Sequence, residues 1–102
     1  MVYTTDELRK RVAPVAEKYQ LRAVYLFGSY ARNEATDDSD IDILVDLAGS
    51  TVRGWIIGGV YNDLHESIGK NVGMVTIDAL DENRDIFAYK VMRERVLLYE
   101  KQ

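Results

Sequence analysis

From Leu26 to Leu47 the chain reads LFGSYARNEATDDSDIDILVDL. Two features of this stretch can do chemistry. Gly28-Ser29 closes one apolar run, and Asp40 and Asp42 open the next. Residues two apart in an extended chain leave the same face, about 7 Å from one another at roughly 3.3 Å per residue. Like charges that close repel unless a cation lies between them. A hard ion with oxygen ligands, most often Mg²⁺, resolves the conflict. Gly28 permits close backbone approach. The Ser29 hydroxyl, with the N–H groups of a helix opening there, suits a phosphate. Together these parts suit metal-supported phosphoryl or nucleotidyl transfer.

Blander readings compete with this one. A solvated acidic turn before a strand would also look like Asp40 and Asp42, but the Gly-Ser pair at its matching distance favours the metal site. A calcium loop starting at Asp38 would need Gly at its sixth position and Glu at its twelfth, where this chain has Ile43 and Gly49, so that motif is excluded. Glu34, Asp37 and Asp38 read as loop solubilisers. His65 has no nucleophile beside it and reads as a surface or packing residue. Lys70 reads as a solvated loop charge.

The elements that must position these groups follow from periodicity. TTDELRKRVAPVAEKY predicts a first helix, capped by Thr4 or Thr5, with Asp6 and Glu7 at its positive end. Leu8, Val12, Val15 and Tyr19 recur on one face, and Pro14 removes one backbone bond inside it. RAVYLF predicts a strand ended by Gly28, with a short helix over 29–33. SDIDILVDL predicts a second strand, with Ile41, Ile43, Val45 and Leu47 on one face and Asp40, Asp42 and Asp46 on the other. Val52, Trp55, Ile56, Val60, Leu64 and Ile68 form a helical stripe ended by Gly69. Trp55 is expected in the core, with Ile57 and Tyr61 off the stripe and exposed. VGMVTID predicts a third strand, DENRDIFAYKVMRERV a last helix and LLYE a short edge strand. Helices alternating with strands imply an α/β (α+β) fold, a small mixed sheet flanked by helices.

Length and composition set the outer limits. A chain of 102 residues predicts one domain over 1–102. There is no Cys, so neither a disulfide framework nor a Cys-based zinc site is available. That agrees with a cytoplasmic location, as does charge in the opening MVYTTDELRKRV, where a signal peptide would need an apolar run. No stretch approaches the roughly 18 apolar residues of a membrane span. A net charge of −4 argues against direct nucleic-acid binding through the phosphate backbone.

Gly28-Ser29, ten residues and then Asp40-Ile41-Asp42 resembles the signature of the polymerase-beta-like nucleotidyltransferase superfamily. FGSYARNEATDDSDIDILV is similar in particular to the minimal nucleotidyltransferase domains, and the resemblance extends over nearly the whole chain. It implies a polymerase-beta-like fold in which Gly28 and Ser29 hold the triphosphate, Arg32 lies near the phosphates, and Asp40 and Asp42 bind Mg²⁺ as the catalytic carboxylates. It further implies transfer of AMP from ATP to a hydroxyl, a Tyr of a HEPN-type toxin, with this chain as the antitoxin. Association with itself or with that partner is left open.

Two positions depart from the family pattern. Asn33 stands where Gly is usual, and Asn tolerates left-handed backbone geometry. Gly73 stands where the third strand usually carries a third carboxylate, which commonly serves as the base. Its loss costs about 10²–10⁴ in rate where it acts so. Asp78 has the wrong parity to replace it without a bulge, and Glu66 is remote. The site is therefore either completed by water and nucleotide or impaired, and an impaired domain would neutralise its partner by binding alone.

Overall fold

The computed structural model describes residues 2–102. Helix α1 (Thr5–Tyr19) opens on a capping box: the Thr4 hydroxyl accepts the Glu7 N–H, and the Glu7 carboxylate accepts the Thr4 N–H. Strand β1 (Ala23–Phe27) runs into a single turn of helix, α2 (Gly28–Ala31). A loop leads to β2 (Ile41–Asp46), then come α3 (Ile56–Ile68) and β3 (Val72–Thr76). A 3₁₀ turn (Ile77–Ala79) precedes α4 (Ile86–Glu94) and β4 (Val96–Glu100). The sheet order is β3-β2-β1-β4, with β1 antiparallel to β2 and β4, and β2 parallel to β3. A mixed sheet flanked by helices is thus the architecture, and LLYE does form an edge strand.

The two faces of the sheet differ. Val24, Leu26, Ile41, Ile43 and Val45 turn to one side, where Leu8, Val12, Val15 and Ala16 of α1 and Val60, Leu64 and Ile68 of α3 cover them. All of these are buried, most of them completely. The opposite face carries a smaller cluster, Phe27, Leu44 and Val91, with Tyr25, Val75, Ile77, Leu80 and Met92 around it. Alternation along β2 puts Asp42 on this second face, beside Leu44. Among the described residues α4, with Ile77 and Leu80, covers part of it, which leaves room for a cleft.

Two elements are shorter than their sequence patterns suggest. The stripe from Val52 predicts a long third helix with Trp55 in the core; α3 instead starts at Ile56, and Trp55 is 88% exposed. Gly54 at φ 55 breaks the chain just ahead, so Trp55 falls outside the helical face it would otherwise share. Ile57 is also not exposed as expected: it packs partly against the core, whereas Tyr61 is exposed. Gly58 and Gly59 do not interrupt α3, and a Cβ on Gly59 would stand 3.1 Å from the Tyr19 hydroxyl, so that glycine admits α1. The last helix begins at Ile86 because Asp85 is extended and caps it, accepting the Phe87 N–H at 2.9 Å.

Candidate active site

One row across the sheet carries the site. Phe27 pairs with Asp42 on one side, and Asp42 pairs with Gly73 on the other. The Asp42 carboxylate lies between two glycines. A Cβ built on Gly28 would stand 2.1 Å from Asp42 Oδ2, and one on Gly73 would stand 2.9 Å from Oδ1. Both distances are below what real side chains tolerate, so the glycines make the space the carboxylate occupies. Gly28 also has φ 74, a backbone state that other residues resist. The Gly-Ser bend and the second acid of the Asp-x-Asp motif are therefore in direct apposition.

Around them a cleft of about 370 Å³ is lined by Phe27, Gly28, Arg32, Asp42, Gly73, Met74, Val75, Phe87, Lys90, Val91 and Glu94. Its walls are largely apolar, with Phe87 edge-on to Phe27 at 6.1 Å between ring centres. Ser29 and Asp40 stand outside this lining. Ser29 follows Gly28 in α2 and is half-buried; Asp40 immediately precedes β2 and is exposed. Asp40 is close enough to act on Asp42 electrostatically. Burial pushes the Asp42 carboxyl above its usual value, Asp40 and Glu94 push it the same way, and Arg32 opposes them.

That donor set fits a hard cation. Asp42 is half-buried and has neither hydrogen bond nor ion pair among the described residues. Arg32 offsets only part of the combined push from burial, Asp40 and Glu94 on this carboxyl. No third His, Cys, Asp or Glu joins such a group among the described residues, so an ion held here would take its remaining oxygens from water and nucleotide.

The other candidates separate clearly. Asn33 adopts φ 60, the left-handed state that makes it a workable substitute for Gly. Asp78 lies on the exposed 3₁₀ turn beyond β3, and Glu66 is exposed on α3, so neither reaches the cleft. His65 stacks loosely on Tyr61 and meets Asn71 at 3.4 Å, a surface packing role. Lys70 is not a free loop charge: it donates to the Tyr30 hydroxyl and the Asp37 carbonyl, tying the acidic loop to the end of α3. Glu34 is more than a solubiliser, since it accepts from Arg32 at 2.9 Å.

One cleft carboxylate escapes the motif-based reading. Glu94, in the last turn of α4, pairs with Arg32 at 3.0 Å and accepts the Gly28 N–H at 2.9 Å. The available signal was helical spacing: Phe87, Val91 and Glu94 recur on one face, and Val91 is buried.

A family model described as Polymerase beta, Nucleotidyltransferase matches residues 10–102. The chain belongs to that nucleotidyltransferase family. A relative from Methanocaldococcus jannaschii, provisionally named a protein adenylyltransferase, is 29% identical over 92 residues, covering 90% of this chain and 89% of its own. A toxin–antitoxin crystal structure with AMP-PNP aligns at TM-score 0.73 and 22% identity, over 92% of this chain and 74% of that one. A complex of tri-AMPylated Shewanella oneidensis HEPN toxin with MNT antitoxin aligns at TM-score 0.68 and 20% identity, over 97% and 75%. At such identities the structural matches speak to the fold, which is the nucleotidyltransferase one.

Proposed function

We propose that this nucleotidyltransferase is a Mg²⁺-dependent protein adenylyltransferase that moves AMP from ATP to a tyrosine hydroxyl of a HEPN-type toxin and so acts as its antitoxin. The observation that carries the reading is the Asp42 carboxylate seated against the Gly28-Ser29 bend, with Arg32 on the same cleft wall. Asp42 and Asp40 would hold the ion. When bound, Mg²⁺ neutralises the phosphates and favours departure of pyrophosphate. Gly28, Ser29 and Arg32 hold and orient the triphosphate, and the apolar wall of Phe27, Phe87 and Val75 suits a base. The acceptor oxygen forms a bond to the α-phosphorus as the bond from that phosphorus to the bridging oxygen breaks. Pyrophosphate leaves with the electron pair, and the hydroxyl proton is released to the medium.

The acceptor assignment is supported by the AMPylated toxin in the Shewanella oneidensis complex and by the name of the Methanocaldococcus jannaschii relative. Among the described residues no helix is long and apolar enough to cross a membrane.

A second reading has its own observation. Gly73 fills the place of the usual third carboxylate, and neither Asp78 nor Glu66 replaces it. A domain impaired in this way would neutralise its partner by binding alone. Co-expression with the cognate HEPN-type protein separates the two. With the enzyme, intact-mass spectrometry of the partner shows added AMP, and Asp42→Asn lowers the amount at least about 100-fold while toxicity returns. Neutralisation that persists in Asp42→Asn, with no AMP added by either protein, would establish the binding-only role.

A further inference from the structure

We propose that Glu94 is a positioning residue for the phosphate end of this cleft, setting the Gly28 bend and the Arg32 guanidinium from the last turn of α4. This rests on the nucleotidyltransferase reading of the site. Glu94 Oε1 accepts the Gly28 N–H at 2.9 Å, and both carboxylate oxygens accept from Arg32 Nη1, at 3.2 and 3.0 Å. The two donors belong to the same short turn, 66 and 62 residues away along the chain.

The turn's own backbone bonds run from the Arg32 N–H to the Gly28 carbonyl at 3.1 Å and from the Glu34 N–H to the Ser29 carbonyl at 2.8 Å. α2 is four residues long, and no side chain caps it from Phe27. Gly28 is buried, and a buried N–H needs a partner. Glu94 supplies one while holding the bend beneath Asp42. The guanidinium is held on a second side as well, since Glu34 accepts from Nε at 2.9 Å. A planar group fixed at two nitrogens has a fixed orientation. Nη2 has no hydrogen-bond partner among the described residues. It belongs to a side chain lining the cleft beside Gly28 and Asp42. A charged, oriented N–H donor of this kind suits a phosphate oxygen.

The test compares equilibrium binding of ATP and of adenosine, both with Mg²⁺, in wild type, Glu94→Ala and Glu94→Gln, with melting temperatures alongside. Glu94→Ala is expected to weaken ATP about tenfold or more and to leave adenosine unchanged. Glu94→Gln keeps an acceptor for Gly28 but loses the charge facing Arg32, and should fall between; it also carries the test should the alanine variant not fold. Equal losses of ATP and adenosine, following a drop in melting temperature, would reduce Glu94 to a structural role and overturn the proposal. So would a variant that binds ATP as well as wild type or better, the latter marking the carboxylate as a competitor of the phosphates. Wild type that prefers ATP no more than adenosine would overturn the phosphate site itself, and the role of Glu94 with it.

Discussion

Asp42 owes its place to what its neighbours lack. With Cβ atoms excluded at Gly28 and Gly73, the carboxylate settles against the bend, half-buried and unpaired. In the sequence Gly73 registers only as a missing acid. The pairing of Asp42 with Gly73 gives it a positive role, since any side chain there must push the carboxylate aside. Gly28→Ala tests this packing directly. The substitution adds strain at φ 74 and a Cβ 2.1 Å from Asp42 Oδ2, so urea denaturation should show a loss of about 1–3 kcal/mol. The displaced carboxylate should also lower AMP transfer. An unchanged unfolding midpoint would mean that the bend re-forms around the new methyl. Glu94 was not legible from motifs because its partners lie more than sixty residues away, and residue spacing reports only on neighbours within one element.

At the scale of elements, the helices are legible where local signals agree and misleading where they conflict. Thr4, Glu7 and the Leu8-Val12-Val15 row all point to α1, and that helix runs from Thr5 to Tyr19 with Pro14 inside it. The stripe from Val52 points to a longer α3, but a left-handed Gly54 cancels its first turn and leaves Trp55 in solvent. The contact between α1 and α3 is pinned at its edge by Asp63 Oδ2, which accepts from Lys18 Nζ at 2.7 Å and from the Tyr19 hydroxyl at 2.8 Å. The Lys18 hydrogen bond, then the Tyr19 one, holds the Asp63 carboxyl below its ordinary 3.8. A carboxyl depressed in the folded state adds stability above its unfolded value, and that contribution fades as pH falls through the folded one. Asp63→Asn should therefore melt roughly a few degrees lower than wild type at neutral pH. The gap should begin to close near pH 3.8 and shrink further below it. Thermal melts across that range check this; a gap independent of pH would assign the effect to packing rather than charge.

For the molecule as a whole, the unequal covering of the sheet decides where the proposed site lies. Two helices bury one face into the main core, while α4 with Ile77 and Leu80 covers part of the other and leaves the cleft over Asp42. A ligand bound there adds to stability by mass action, about 2.7 kcal/mol at a concentration a hundredfold above its Kd. Mg²⁺ with ATP should thus raise the melting temperature of wild type, and neither Asp42→Asn nor wild type in excess chelator should respond. A rise that survives both changes would place nucleotide binding elsewhere. The sequence by itself determined the class of chemistry and the nature of the elements, because motif spacing, strand alternation and helix caps are encoded within a few residues of one another. It also carried the family resemblance, in a stretch from Phe27 to Val45. Only the tertiary structure decided that Gly73 faces Asp42, that Trp55 lies in solvent and that Glu94 reaches Gly28 and Arg32. Those outcomes depend on strand register and helix docking, which arise from contacts between segments far apart in the chain.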